Sequence, residues 1–228
     1  MESFSIKRHI QKIGGKRCLR NIITKNTTIE GMNIIIVMLS FLFLSATCKT
    51  ETTSVIDNKK VTISDESIFN LSTTWHTEED KTIQLSDLKG KVLVIVMIYT
   101  SCKVACPRLV ADMKDIRSKI PSELNDKIQY VLVSIDPEHD TPKKLKEFAI
   151  NKEMDGEEWT FLQGDPESVR EFANVLSVKY KEISPMDFSH SNIISVFNPK
   201  GELLHQQEGL GVNNETTIST IIKTAKQK

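Results

Sequence analysis

Apolar and polar positions follow two different periods along this chain, and the switches between them mark its elements. Val92-Leu93-Val94-Ile95-Val96-Met97-Ile98 is a continuous apolar run rich in β-branched residues, the pattern of a strand covered on both faces. Beyond it Leu109, Val110, Met113, Ile116 and Ile120 recur at helical spacing, with Arg108, Asp112, Lys114 and Asp115 between them, which predicts an amphipathic helix. Ile128 to Ile135 is a second buried strand. Strand, helix, strand in that order implies a right-handed parallel crossover.

The flanking segments read in the same way. Thr141-Pro142 ahead of Leu145, Phe148 and Ala149, and Asp165-Pro166 ahead of Val169, Phe172, Ala173 and Leu176, each pair a capping side chain with a proline in the first helical turn. Trp159 to Leu162 suits one short strand between these helices. Ile68 to Leu71 and Lys81 to Leu85, joined through Thr77-Glu78-Glu79-Asp80, predict an N-terminal β-hairpin. Asn192 to Phe197 and Glu202 to Gln206 predict a second hairpin around Asn198-Pro199-Lys200-Gly201. Asn214 then caps a last helix with Ile218, Ile221, Ile222 and Ala225 on one face. The sum is an α/β domain, a mixed central sheet flanked by helices.

Charge divides the chain. Residues 1–31 hold seven of the 30 Lys and Arg but only two of the 30 Asp and Glu, leaving 23 basic against 28 acidic side chains beyond them. A mildly acidic body argues against nucleic acid as a partner. The basic start leads into the apolar stretch Asn33 to Ala46, too short to span a bilayer as a typical helix but suited to a signal peptide. Ser45-Ala46-Thr47-Cys48 resembles a lipoprotein cleavage site with Cys48 as the lipidated residue; an uncleaved membrane anchor and an ordinary signal peptide are the alternatives. Polar residues 49–60 read as a tether. The expected organisation is therefore a leader and signal or anchor over 1–48, a tether over 49–60 and a folded domain over 61–228. It places the domain outside the cytoplasm, on the periplasmic side of a bacterial membrane, with a mitochondrial inner-membrane location as the alternative.

Chemistry concentrates where the first strand meets its helix. Cys102 and Cys106 lie at that junction, with Pro107 in the first helical turn. Cys106 sits at the helix N-terminus, where a thiol is expected to ionise readily. Two such thiols can bind a soft ion such as Cu(I) or cycle between dithiol and disulfide. A dithiol at the strand-to-helix junction of such a sheet is the thioredoxin-like plan. Asp136, at the C-terminal end of the neighbouring strand, is a candidate supporting acid, with a turn-forming Asx before proline as the equal alternative, and Met186 is a thioether near His190 better explained by packing on the core.

Tyr99-Thr100-Ser101-Cys102-Lys103-Val104-Ala105-Cys106-Pro107 and Val133-Ser134-Ile135-Asp136-Pro137-Glu138-His139-Asp140-Thr141-Pro142 together resemble the signature of the SCO/SenC family of copper-delivery proteins. Leu85 to Lys91 and Ser189-His190-Ser191 leading into Ile193 to Gly201 fit the same family, over residues 66 to 226 in all. The resemblance implies an exported, membrane-tethered, thioredoxin-like metallochaperone. It implies one copper ion, as Cu(I) or Cu(II), held by Cys102, Cys106 and His190. It also implies delivery to the subunit that carries the binuclear copper centre of cytochrome c oxidase, with a thioredoxin-like reductant as a second partner. The chain departs from the family pattern at Lys103 and Val104, where Pro and Asp are usual, and at Ser189, where Asp is usual. These changes make the site more positive. The competing reading is an extracytoplasmic thiol-disulfide oxidoreductase or redox sensor that uses the Cys102/Cys106 dithiol. Peroxiredoxin-type chemistry needs Thr three residues before the cysteine, whereas Thr100 stands two before Cys102.

Overall fold

The strands that the sequence marks as apolar on both faces occupy the middle of the sheet. The computed structural model describes residues 64–185 and 187–227, so the leader, Cys48, the tether and Met186 lie outside the described residues. The strands are β1 (Thr74–Thr77), β2 (Thr82–Gln84), β3 (Val92–Ile98), β4 (Ile128–Ser134), β5 (Trp159–Gln163), β6 (Tyr180–Ser184), β7 (Asp187–His190), β8 (Ile193–Phe197) and β9 (Leu203–Glu208). Seven of them form one sheet in the order β2-β1-β5-β4-β3-β8-β9. β3 pairs in parallel with β4, and β4 with β5, while the pairings further out are antiparallel. Every residue of β3, β4 and β8 is buried, which accounts for their lack of alternation.

Four α-helices lie among the described residues: α1 (Ala105–Ser118), α2 (Pro142–Asn151), α3 (Pro166–Val175) and α4 (Glu215–Lys226). α1 makes the crossover from β3 to β4. The expected caps hold at α2 and α3, where the Thr141 side chain accepts from Lys144 N at 3.4 Å and Asp165 accepts from both Glu167 N and Ser168 N at 2.9 Å. At α4 the cap differs from expectation. Asn214 turns its amide to Asp115 at 2.9 Å, and Asn213 accepts from Glu215 N at 2.8 Å instead.

The N-terminal hairpin is present, but its first strand is Thr74–Thr77 and not Ile68 to Leu71. Ile68–Asn70 forms a single 3-10 turn capped by Ser67, whose hydroxyl also donates to the carbonyl of Lys200. Ile68 and Phe69 are buried there by the turn after β8, so their apolar character reflects burial and not strand pairing. Trp75, fully buried, carries β1 onto the sheet: its ring lies edge-on to Phe172 of α3 at 5.5 Å and its indole N–H donates to Thr73 Oγ1 at 2.9 Å.

One element was not visible in the sequence. β6 and β7 form a two-stranded ribbon that pairs with itself and not with the main sheet. Its residues are mostly exposed, so no apolar period announces it.

Candidate metal centre

β3 ends in Tyr99, and the chain then turns through Cys102 into α1. The buried carboxylate of Asp140, just ahead of α2, fixes this turn: it accepts from Thr100 N at 3.0 Å, from the Thr100 hydroxyl, and from Ser134 Oγ at 2.7 Å. Cys106 falls in the first turn of α1 and is fully buried, while Cys102 is partly exposed on the loop.

The helix end acts on the other thiol from the one expected. The N–H of Cys106 points at Cys102 Sγ, 3.2 Å away. Partial burial pushes the Cys102 thiol up, but the N–H groups of Cys106 and Val104, aided by the Cys106 thiol and the Tyr99 hydroxyl, outweigh it and leave the pKa below the ordinary value. Cys106 goes the other way. Its burial raises the thiol pKa far above normal, and the charges of Cys102 and Asp140 add to that. The expectation that Cys106 is the readily ionised thiol is therefore corrected: it has the helix position, but it has lost the water that would solvate its thiolate.

The two thiols predict different reactivity. A brief pulse of iodoacetamide on the reduced protein at neutral pH labels Cys102 and spares Cys106. Peptide mass mapping that finds both labelled alike would overturn the assignment.

His190 is the last residue of β7. Its ring is half-buried and stands edge-on to Tyr99 at 5.8 Å. Nδ1 lies 3.0 Å from the carbonyl of Ser191, which can only accept, so Nδ1 carries the proton and Nε2 presents a lone pair. Burial lowers the pKa of the ring and keeps it neutral. Nε2 faces Cys106 Sγ at 4.0 Å. Tyr99 holds the ribbon in place, donating its hydroxyl to Asp187 Oδ1 at 2.7 Å and accepting from Phe188 N at 3.2 Å, with its ring edge-on to Phe188 at 5.2 Å.

Cys102, Cys106 and His190 thus bring two sulfurs and one nitrogen within 4.8 Å of one another, from positions 84 residues apart. Metal bonds of about 2.0–2.3 Å set the ligand atoms of one ion at most ~4.6 Å apart, so closure on an ion takes a shift of a few tenths of an ångström. The donor set is soft and suits copper. Above it opens a cleft of about 600 Å³ walled by the cysteine loop on one side and by Pro185 and Asp187–His190 on the other.

Asp136 is buried, but its partners are elsewhere: Oδ1 meets His139 Nδ1 at 2.7 Å, its N–H donates to Ser134 Oγ, and Oδ2 has no partner among the described residues. His139 is raised in pKa by that carboxylate. None of the hydrogen bonds of Asp136 reaches the triad. The acid tied to the cysteine loop is Asp140, which the sequence reading passed over, as it did Tyr99. A tyrosine closing an otherwise aliphatic strand just before two cysteines was the available signal.

Residues 65–226 match the SCO1/SenC family. The SCO1 protein homolog of Bacillus subtilis is 30% identical over 155 residues, covering 67% of this chain and 80% of that protein. Among solved structures, BsSco, described as a member of the Sco family of cytochrome c oxidase assembly proteins with a disulfide switch, is 29% identical, with a TM-score of 0.60, over 68% of this chain and 92% of its own. Bradyrhizobium japonicum ScoI, solved with copper bound, shares the fold at 21% identity and a TM-score of 0.58, over 67% of this chain and 96% of its own.

Proposed function

The chain belongs to the SCO1/SenC family, and on that premise we propose that it binds one copper ion through Cys102, Cys106 and His190 and delivers it to the copper-centre subunit of cytochrome c oxidase. The observation that carries this reading is the convergence of three soft or borderline ligand atoms within 4.8 Å. Copper is the cargo. Two thiolates hold Cu(I), and the bare Nε2 of His190 adds the nitrogen that suits Cu(II). Tyr99 and Asp140 hold the ribbon and the loop so that little reorganisation accompanies binding.

Reconstitution under reducing conditions gives one copper per chain. His190→Ala retains Cu(I) more weakly and loses the absorption that Cu(II) shows with the native ligands. Unchanged affinity together with an unchanged Cu(II) spectrum would remove His190 from the site.

Residues 1–60 support an exported domain tethered to the membrane, through lipid on Cys48 or an uncleaved anchor. The location is the periplasmic face of a bacterial membrane. A thioredoxin-like reductant keeps the two cysteines reduced for loading.

One observation favours a second reading, thiol-disulfide exchange: an accessible thiol of lowered pKa stands beside a buried one of raised pKa. That activity would be indifferent to His190→Ala, which separates the two readings.

A further inference from the structure

Tyr99 reaches towards all three members of the triad with different atoms. Its carbonyl accepts from Cys102 N at 3.3 Å, its N–H faces the Cys106 sulfur, and its ring stands edge-on to His190 at 5.8 Å. Its hydroxyl ties these to the strand that carries the nitrogen. The phenol donates to Asp187 Oδ1 at 2.7 Å, three residues ahead of His190, and accepts from Phe188 N at 3.2 Å. The carbonyl of Phe188 also lies at 3.2 Å, but a phenol has one proton, and the nearer, charged acceptor takes it. A phenylalanine ring would make the same edge contacts with Phe188 and His190, so the hydroxyl is there for its hydrogen bonds. β3 itself is built only of Val, Leu, Ile and Met, and the phenol that follows it is 2% exposed. Because β6 and β7 pair with each other and not with the sheet, the place of His190 over the sulfurs depends on such an anchor.

We propose that Tyr99 and Asp187 are positioning residues that set the oxidation-state preference of the site: by clasping β7 to the end of β3 they hold Nε2 of His190 over the sulfurs, on which Cu(II) depends more than Cu(I). This rests on the copper reading and deepens it. Cu(I) is soft and is held by the two thiolates, whereas Cu(II) favours nitrogen and a fuller coordination shell. Partners that orient a ligand typically carry about 10- to 100-fold in affinity. Here that factor falls mainly on the ion that needs the imidazole.

The test compares Cu(I) and Cu(II) dissociation constants, measured by chelator competition on the full chain with Cys18→Ser and Cys48→Ser. Tyr99→Phe keeps the ring and changes no formal charge; Asp187→Ala alters an exposed side chain and leaves the core intact. Each weakens Cu(II) by about tenfold or more and Cu(I) by less than about threefold. The midpoint potential of the bound ion rises accordingly, by about 59 mV for each tenfold change in the ratio of the two constants. Asp187→Asn, whose amide oxygen still accepts from the phenol, recovers part of the loss. In a His190→Ala background neither Tyr99→Phe nor Asp187→Ala moves the ratio further, because the ligand they position is gone. A shift that persists without the imidazole belongs to polarity or charge near the ion and overturns the positioning role. A ratio that neither substitution moves, in a chain that loads copper, overturns the clasp and spares the copper reading. A parent chain that takes up neither ion removes the copper reading and the clasp with it.

Discussion

Cys106→Ser lowers the copper affinity of the chain by more than about a hundredfold, so that protein purified under reducing conditions carries almost no metal. Disturbing a group that merely orients a ligand already costs about 10- to 100-fold, and Cys106 is proposed as a ligand itself. The serine oxygen is hard, neutral and shorter in reach than a thiolate. Cys106 is fully buried in the first turn of α1, so solvent has little access with which to replace the lost thiolate. The same burial sets the pH dependence. Its thiol pKa is raised, so at neutral pH copper must expel the Cys106 proton in order to bind. Each proton expelled makes the apparent affinity fall by about tenfold per unit of acidification. The Cys106 proton is the first to count, and the slope steepens on acidification as Cys102 and His190, both of lowered pKa, take up theirs. Competition titrations against a chelator at several pH values read this slope directly. An affinity that holds constant from about pH 8 to about pH 6 would mean that copper is not bound through the buried thiol.

Trp75→Ala destabilises the domain by about 3–5 kcal/mol, the range for removing a large aromatic from a core. Trp75 is fully buried and fills the space between Phe172 and Gly164, where a Cβ on the glycine would lie 2.8 Å from the indole. The close approach supplies an internal control. Gly164→Ala alone costs about 1–3 kcal/mol by overpacking, but costs little in the Trp75→Ala background, because the clash partner is gone. Urea denaturation of the four proteins of this cycle yields the coupling. Strictly additive losses would mean that Trp75 and Gly164 do not meet.

Much of the domain could be read from the sequence because its signals were local. Val92 to Ile98 and Ile128 to Ser134 are apolar at nearly every position since both of their faces are covered, and the Pro-bearing caps at Thr141 and Asp165 fix two helix starts. Cys102, Cys106 and His190 were nameable through the resemblance, and the structure brings them together. What the sequence hid was of three kinds. The β6–β7 ribbon has no buried face of its own and leaves no period. Ile68 to Leu71 looks like a strand, yet Ile68 and Phe69 owe their apolar side chains to burial against a turn more than 130 residues away, a contact that no local pattern encodes. The ordering of the two thiols depends on where a helix N–H points and on how much water remains, which spacing alone cannot supply. The choice between Asp136 and Asp140 is similar: both are buried acids in one turn, and only the donors around Asp140 mark it as the one that holds the cysteine loop.

The ribbon separates two properties that are often assumed to travel together. Amides of β3 and β4 exchange with solvent only when the sheet itself opens, whereas a ribbon bonded to itself and pinned through Tyr99 can lift while the sheet stays closed. His190 rides on the ribbon, Cys102 on the loop after β3 and Cys106 on α1, so if the three hold copper as proposed, lifting the ribbon would strip one ligand and leave the ion on two. The residence time of such an ion would then follow a local opening rate, whereas the heat the protein withstands would follow the sheet. On that reading cargo release would be tunable through β6 and β7 without touching the melting temperature.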